Sequence, residues 1–293
     1  MKKFLFLLVL ATSIISCQND RNGDGVGDKD DRILPSSTGT HSELLVLMKD
    51  DEWKGPLGET FREHIALTQY GLPQNEPIFR ISQIDPSQLS SILKRSKSIL
   101  SVTVGDTNLY QLEKDVYARP QTFVSVIGKT EGETAAILKK TASRIINKFR
   151  SADLALLQKR LKKSSYKKVP KPLASYGIKD MILLKGFTNT LDKDEIKIYW
   201  LDGLKTTQGI LVTKRKTPNN VIAEQDIIAF RDSLTKHYVT GSNEGSYMAI
   251  EKMLPPLQKN LEIDGHFAIE TRGLWQMEGD FMGGPFLSYS IYL

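Results

Sequence analysis

The chain has 293 residues, 40% of them hydrophobic and 25% charged, a balance that fits a globular protein with a substantial core and excludes a disordered chain. Its formal net charge is +6 and its only cysteine is Cys17. A single thiol excludes an intramolecular disulfide framework, so stability has to come from packing.

Lys2 and Lys3 lead into an apolar run, Phe4 to Ala11, and the small residue Ser16 stands immediately before Cys17. The run is shorter than the roughly 18 to 20 residues that a bilayer crossing needs. This order of charge, short apolar core, small residue and cysteine resembles a bacterial lipoprotein signal, in which residues 1–16 are removed and Cys17 takes the lipid. Acyl chains of the palmitate type on that cysteine would hold the protein at a membrane surface without spanning it. Cleavage would leave 277 residues with a net charge of +4 and no thiol for catalysis. Gln18 stands where an aspartate, in lipoproteins resembling this one, favours inner-membrane retention, so the expected address is the cell envelope at the outer membrane.

Residues 17–33 read as an acidic tether. Counting Asp20 as position one, oxygen-bearing side chains fall at Asp20, Asn22, Asp24, Asp28 and Asp31, with Gly25 at position six and the carbonyl of Val26 at seven. A hard cation takes six to eight oxygens, alternate residues turn them inward, and glycine permits the bend, so the spacing suits Ca2+. The segment resembles the aspartate-rich repeats of thrombospondin type 3. The alternative is a solvated acidic linker.

Residues 34–168 form the expected N-terminal half. Glu43 to Met48 reads as a buried strand and Gly58 to Leu67 as an amphipathic helix. Ile78 to Ile84, Ile99 to Val104 and Gln121 to Ile127 read as further strands, and Asp85-Pro86-Ser87-Gln88 as a helix start. Thr130 to Glu133 is a capping box opening a long amphipathic helix over 131–163, with Leu138, Ala142, Ile145, Phe149, Ala152 and Leu156 on one face.

Between Lys139 and Lys171 stand twelve Lys or Arg residues and one acid, Asp153. So dense a strip attracts anionic phospholipid headgroups, lipopolysaccharide or polyanionic glycans. A solvated helix face followed by a basic linker is the alternative. Nucleic acid is not expected, because aromatic residues able to stack on bases are nearly absent, Tyr166 excepted.

Residues 172–293 form the C-terminal half. Met181 to Leu184, Glu195 to Leu201 and Leu204 to Lys214 read as strands, the last two joined at Asp202-Gly203, and Glu224 to His237 as a helix. Strands near His266 to Thr271 and Phe286 to Tyr292 flank a segment dense in glycine and aromatic residues, read as a loop. In it Trp275, Phe281, Met282 and Phe286 are candidate binding residues. The fold class is α+β: two halves with mainly antiparallel sheets covered on one face by helices.

Leu34 to Gly39, Gly71 to Pro77, Gly245 to Met248, Arg272-Gly-Leu-Trp275 and Phe281-Met-Gly-Gly-Pro-Phe286 together resemble the domain-of-unknown-function 4837 family of Bacteroidetes lipoproteins, from Leu34 to the C-terminus. The resemblance implies an exported lipoprotein. It carries no reaction, so it transfers no catalytic residue.

Catalytic motifs mostly fail on spacing. Gly128-Lys129-Thr130 mimics the end of a phosphate loop, but the earlier glycine would fall at Phe123. No Gly-x-Ser-x-Gly elbow occurs, and no two of the four histidines stand at ligand spacing. One constellation remains: His266, Glu270 and Arg272 alternate along a predicted strand and so share a face, where histidine and carboxylate could exchange protons and arginine hold an anion. The sequence therefore points to a membrane-anchored binding or envelope-assembly module. A hydrolase acting on an envelope or glycan substrate at His266, Glu270 and Arg272 is the alternative.

Overall fold

The computed structural model describes residues 33–216 and 223–292. The signal segment, Cys17 and the calcium-loop residues Asp20 to Asp31 lie outside them. Among the described residues no helix is long and apolar enough to cross a membrane.

The first sheet is built from β1 (Glu43–Leu47), β2 (Arg80–Ile84), β3 (Ser98–Val104), β4 (Leu109–Lys114) and β5 (Thr122–Gly128), in the order β2-β1-β3-β5-β4. Helices α1 (Asp50–Lys54) and α2 (Pro56–His64) connect β1 to β2, and α3 (Glu131–Leu161) follows β5. β1 runs parallel to β2 and β3, and β3 parallel to β5. Only β4 is antiparallel, to β5.

This first sheet departs from the mainly antiparallel pairing expected of both halves, which the other two sheets follow. Leu44 to Leu47 are apolar without alternation because both faces are buried, as parallel strands require. Leu44, Val46, Leu100, Val102, Val124 and Val126 pack under Phe61 of α2 and Leu138, Ile145 and Phe149 of α3. Leu45, Leu47, Ile99 and Phe123 face the other way, onto Leu89, Leu93 and Tyr117. That second layer explains why no helix grows from Asp85. Its carboxylate does cap Ser87 N at 2.9 Å, but only a 3-10 turn over 86–88 follows, and the chain extends so that Leu89 and Leu93 reach the sheet.

The junction of β5 and α3 explains the glycine of the phosphate-loop mimic. Thr130 Oγ1 accepts from Glu133 N at 3.2 Å, and a Cβ on Gly128 would fall 2.3 Å from Thr134 N. The glycine lets strand and helix approach.

After α3 comes a short helix, α4 (Lys171–Ala174), and then a three-stranded antiparallel sheet of β6 (Thr188–Asp192), β7 (Ile196–Asp202) and β8 (Thr207–Thr213). Met181 to Leu184 is not a strand: it makes one bridge, Ser165 to Leu184, and Leu183 packs with Leu173, Phe187 and Tyr199 beneath the sheet. Helix α5 (Glu224–Tyr238) packs on β9 (Tyr247–Ile250). The last sheet contains β9, β10 (Leu257–Ile263), β11 (His266–Glu278) and β12 (Gly283–Ile291), all antiparallel, with β9 and β10 both pairing along one edge of β11 and β12 along the other. Antiparallel pairing thus dominates the molecule as a whole. The glycine-rich segment 273–286 is mostly strand: β11 and β12 pair up to Gln276 and Gly283, leaving a turn over 279–282.

Candidate functional site

His266, Glu270 and Arg272 do lie on one face of β11, but the structure joins only two of them. Arg272 Nε donates to Glu270 Oε1 at 2.5 Å. Tyr289, directly across in β12, also hydrogen-bonds the carboxylate, and Arg150 of α3 adds positive potential. Burial pushes the Glu270 carboxyl up, but the hydrogen bond and charge of Arg272 outweigh it, with Tyr289 assisting, and hold it below the ordinary carboxylate range. Burial and the neighbouring Glu270 charge push the Tyr289 phenol up. At neutral pH the carboxylate is therefore ionised and already engaged, and the phenol keeps its proton. His266 is exposed at the start of β11, four residues or about 13 Å along an extended strand from Glu270, and no hydrogen bond joins it to the pair. The trio is an ion pair plus a separate histidine.

The aromatic candidates do not converge either. Trp275 lies over Gly284 and packs with Val239, Met248 and Met277 on the inner face of the sheet. Phe286 sits on that same face beneath the guanidinium of Arg231, 3.9 Å from its ring centre. Burial lowers Arg231 to about 10, so it remains a cation at neutral pH. Phe281 and Met282 are exposed in the turn.

An open cleft of about 720 Å3 lies beside that turn, lined by Lys236 and residues 240–247, and includes none of the seven candidates. Its wall is pinned by Asp280, whose Oδ2 accepts from Ser242 N at 3.3 Å, and by Asn243 Nδ2, which donates to Gly279 O at 2.8 Å. Among the described residues no group of three His, Cys, Asp or Glu is arranged to hold a metal.

The basic strip is more informative in three dimensions than in sequence. All twelve cations from Lys139 to Lys171 are exposed, and among the described residues none of them is within ion-pair distance of a carboxylate. Asp153, the one acid in that stretch, is buried, with Oδ1 2.5 Å from Lys97 Nζ and Oδ2 accepting from Ser42 N. The strip therefore keeps no internal counter-charge. On α3 it runs for roughly 30 Å at 1.5 Å per residue, with Lys140, Arg144 and Lys148 on the side away from the buried row Leu138, Ala142, Ile145 and Phe149. Arg144 rests over the Tyr110 ring and Arg160 Nη2 lies 3.1 Å from His41 Nε2, neither of which supplies a negative charge.

The free edge of β12 went unnoticed in the sequence. Its signal was the run Gly283 to Ile291, which holds no Lys, Arg, Asp or Glu.

The fold and these surfaces define a mixed α+β protein with a basic helical face and a C-terminal antiparallel sheet. Residues 180–292 match the family model described as domain of unknown function DUF4837, and residues 37–162 match a second model, domain of unknown function DUF8532. The resemblance carried by Gly245 to Met248, Arg272 to Trp275 and Phe281 to Phe286 thus holds over the C-terminal part, whereas Gly71 to Pro77 falls in the region of the second model. The two regions touch: Gly71, at φ +78°, approaches β11 so closely that a Cβ on it would stand 3.1 Å from Gly273 N. No curated protein and no solved structure matches the chain.

Proposed function

We propose that the protein is an exported lipoprotein, held to the outer membrane through Cys17, that works as a binding or envelope-assembly module by docking its basic helical strip on a phosphate-bearing envelope surface. The observation that carries this reading is that, among the described residues, none of the twelve exposed cations between Lys139 and Lys171 is within ion-pair distance of a carboxylate, with Asp153 turned inward to Lys97. An acyl anchor and a polybasic patch together give firm membrane attachment where each alone is weaker. Ca2+ held by the tether residues Asp20, Asn22, Asp24, Val26, Asp28 and Asp31 belongs to the same proposal, because neutralising those carboxylates lowers their repulsion from an anionic surface. Calorimetric titration with calcium, run beside Asp24→Ala, tests that part: identical traces overturn it.

The main test is sedimentation of the unlipidated Cys17→Ser chain with vesicles of phosphatidylcholine alone, with the same vesicles containing phosphatidylglycerol, and with lipopolysaccharide. Binding to either anionic surface and not to the neutral one, lost in Lys140→Glu/Arg144→Glu/Lys148→Glu, is the expected result. Which of the two anionic surfaces binds tells phospholipid from lipopolysaccharide. Equal binding to all three, or to none, overturns the reading. The hydrolase alternative has no comparable support, since His266 stands apart from Glu270 and Arg272.

A further inference from the structure

The geometry of β12 points to a second copy of this chain as its partner. We propose that two molecules pair β12 to β12, antiparallel about a two-fold axis at Tyr289, so that their C-terminal sheets become one.

Among the described residues β12 pairs with β11 alone, so its other side is a sheet edge there. Met277 N donates to Met282 O at 2.7 Å and Tyr292 N to Phe267 O at 3.0 Å. In an antiparallel ladder these two bonds fix the alternation: the even-numbered residues of β12 bond inward to β11, and the odd-numbered ones turn their backbone groups outward. Outward amides therefore stand at Gly283, Leu287, Tyr289 and Ile291, while Pro285 has none to offer. The same odd-numbered residues show their side chains on the outer face, where Leu287 is 48%, Tyr289 48% and Ile291 41% exposed. Leu257, 49% exposed, continues that row across Arg272 of β11.

An exposed, uncharged, apolar edge is what soluble proteins ordinarily avoid, by charge, proline or cover. The other edges of this molecule follow that rule. β2 carries Arg80, β4 carries Glu113 and Lys114, β6 carries Asp192, and β10 carries Lys259 and Glu262. β9 is covered, with Met248 N bonded to Val239 O and Ile250 N to Asp232 Oδ1. The exposed part of β8 is Thr207, Gln208 and Gly209. Among the described strands β12 alone combines an apolar row with outward amides.

The row is complementary to itself. With the axis at Tyr289, Leu287 of one copy faces Ile291 of the other and Tyr289 faces Tyr289, and each outward amide of the three meets an outward carbonyl. Pro285 falls beyond this stretch, so its missing N–H leaves no gap and limits the register instead. β12 itself carries no charge to oppose its copy, and beside it on the outer face Glu270 and Arg272 neutralise each other, which leaves Arg150 of α3 as the cation that also acts on Tyr289.

The test is sedimentation velocity on the full chain, both lipidated in detergent and as the Cys17→Ser form, over a concentration series into the high micromolar range. The expected result is a dimer fraction that grows with concentration, is abolished by Leu287→Lys, and returns when Leu287→Lys is combined with Ile291→Glu, since those positions face each other in this register. Hydrogen exchange gives an independent reading on the unaltered chain. The amides of Leu287, Tyr289 and Ile291 should slow as concentration rises, while those of Phe286, Ser288 and Ser290 are protected throughout. A monomer at every concentration, a dimer indifferent to Leu287→Lys, or concentration-independent exchange at the three odd positions overturns the proposal. None of these outcomes bears on vesicle binding, so the two readings fail separately.

Discussion

Lys97 and Asp153 form a buried ion pair that ties α3 to the entry of β3: Nζ lies 2.5 Å from Oδ1, and each residue is only 9% exposed. The second carboxylate oxygen accepts from Ser42 N at 2.7 Å, just ahead of β1. Removing one charge strands the other in a site largely closed to water, which costs up to about 3–5 kcal/mol. Asp153→Ala should therefore lose about that much stability by urea denaturation. The double variant Lys97→Met/Asp153→Leu, which removes both charges, should recover most of it. If the double variant is no better than the single one, the pair is not what holds this corner.

Gly128 separates a structural glycine from a phosphate-binding one. A Cβ there would meet backbone atoms of Thr134, at 2.3 Å from N and 2.7 Å from Cα, and helix backbone yields less easily than a flexible side chain. Gly128→Ala should lower stability by roughly 1–3 kcal/mol, as overpacking does. Nucleotide binding should be undetectable in both forms by calorimetry. Measurable affinity for a nucleoside triphosphate that Gly128→Ala removes would reverse this assignment.

In the docking proposed for the basic strip, attraction between its cations and surface phosphates carries the attachment, so vesicle binding should fall steeply with salt. Each Lys or Arg near an anionic surface contributes about 1 kcal/mol. The triple charge reversal at Lys140, Arg144 and Lys148 should accordingly weaken vesicle binding on the order of 100-fold or more. Raising ionic strength from about 0.1 M to about 1 M shortens the screening length from about 10 to about 3 Å and should release the unlipidated Cys17→Ser chain. Retention at high salt would mean that apolar contacts carry the attachment.

Glu270 gives the C-terminal sheet an acid limit. Its carboxyl is pushed up by burial yet held lower overall by Arg272 and Tyr289, so the folded state binds this proton less readily than the unfolded chain does. A depressed carboxyl stabilises the fold above its unfolded value, near 4.5, and that contribution is lost as pH falls through the lower folded value. Melting temperature measured from pH 7 down to pH 3 should decline below about pH 4.5. Glu270→Gln should be less stable at neutral pH and show a shallower decline. A Glu270→Gln profile parallel to that of the parent chain would show that the pair contributes no pH-dependent stability.

The parts legible in the sequence are those where one local cause dominates. Thr130 caps α3 because its hydroxyl is three residues from Glu133, and the apolar row from Leu138 to Phe149 is buried because a helix must turn one side inward. Long-range pairing was not legible. Nothing local tells that Leu44 to Leu47 lies between two parallel neighbours, or that Glu251 N reaches Leu274 O across the last sheet. The glycine-rich segment read as a loop because Gly273, Gly283 and Gly284 signal flexibility locally. In the sheet they make room instead: a Cβ on Gly273 would meet the Phe286 ring at 2.9 Å, and one on Gly284 the Trp275 indole at 3.2 Å. Alternation did place His266, Glu270 and Arg272 on one face, but it carries no information about distance along the strand, which is what separates the histidine from the pair.

Ser288 offers the sharpest check on which side of β12 faces inward. It pairs with Thr271 of β11, whose Oγ1 accepts from Gln258 Nε2 at 3.2 Å, but the Ser288 hydroxyl is itself buried without a hydrogen-bond partner. Burying an unsatisfied hydroxyl is unfavourable, and deleting it breaks no bond, so Ser288→Ala should be neutral or stabilising by about 1 kcal/mol. Thr271→Val, which removes a satisfied acceptor from the same row, should be destabilising by about that amount. Denaturant midpoints measured side by side decide the sign. Because the Ser288 side chain points away from the exposed row of Leu287, Tyr289 and Ile291, Ser288→Ala should also leave the concentration-dependent sedimentation unchanged. A loss of association in this variant would place the contact on the inner face of the sheet and not at its outer edge.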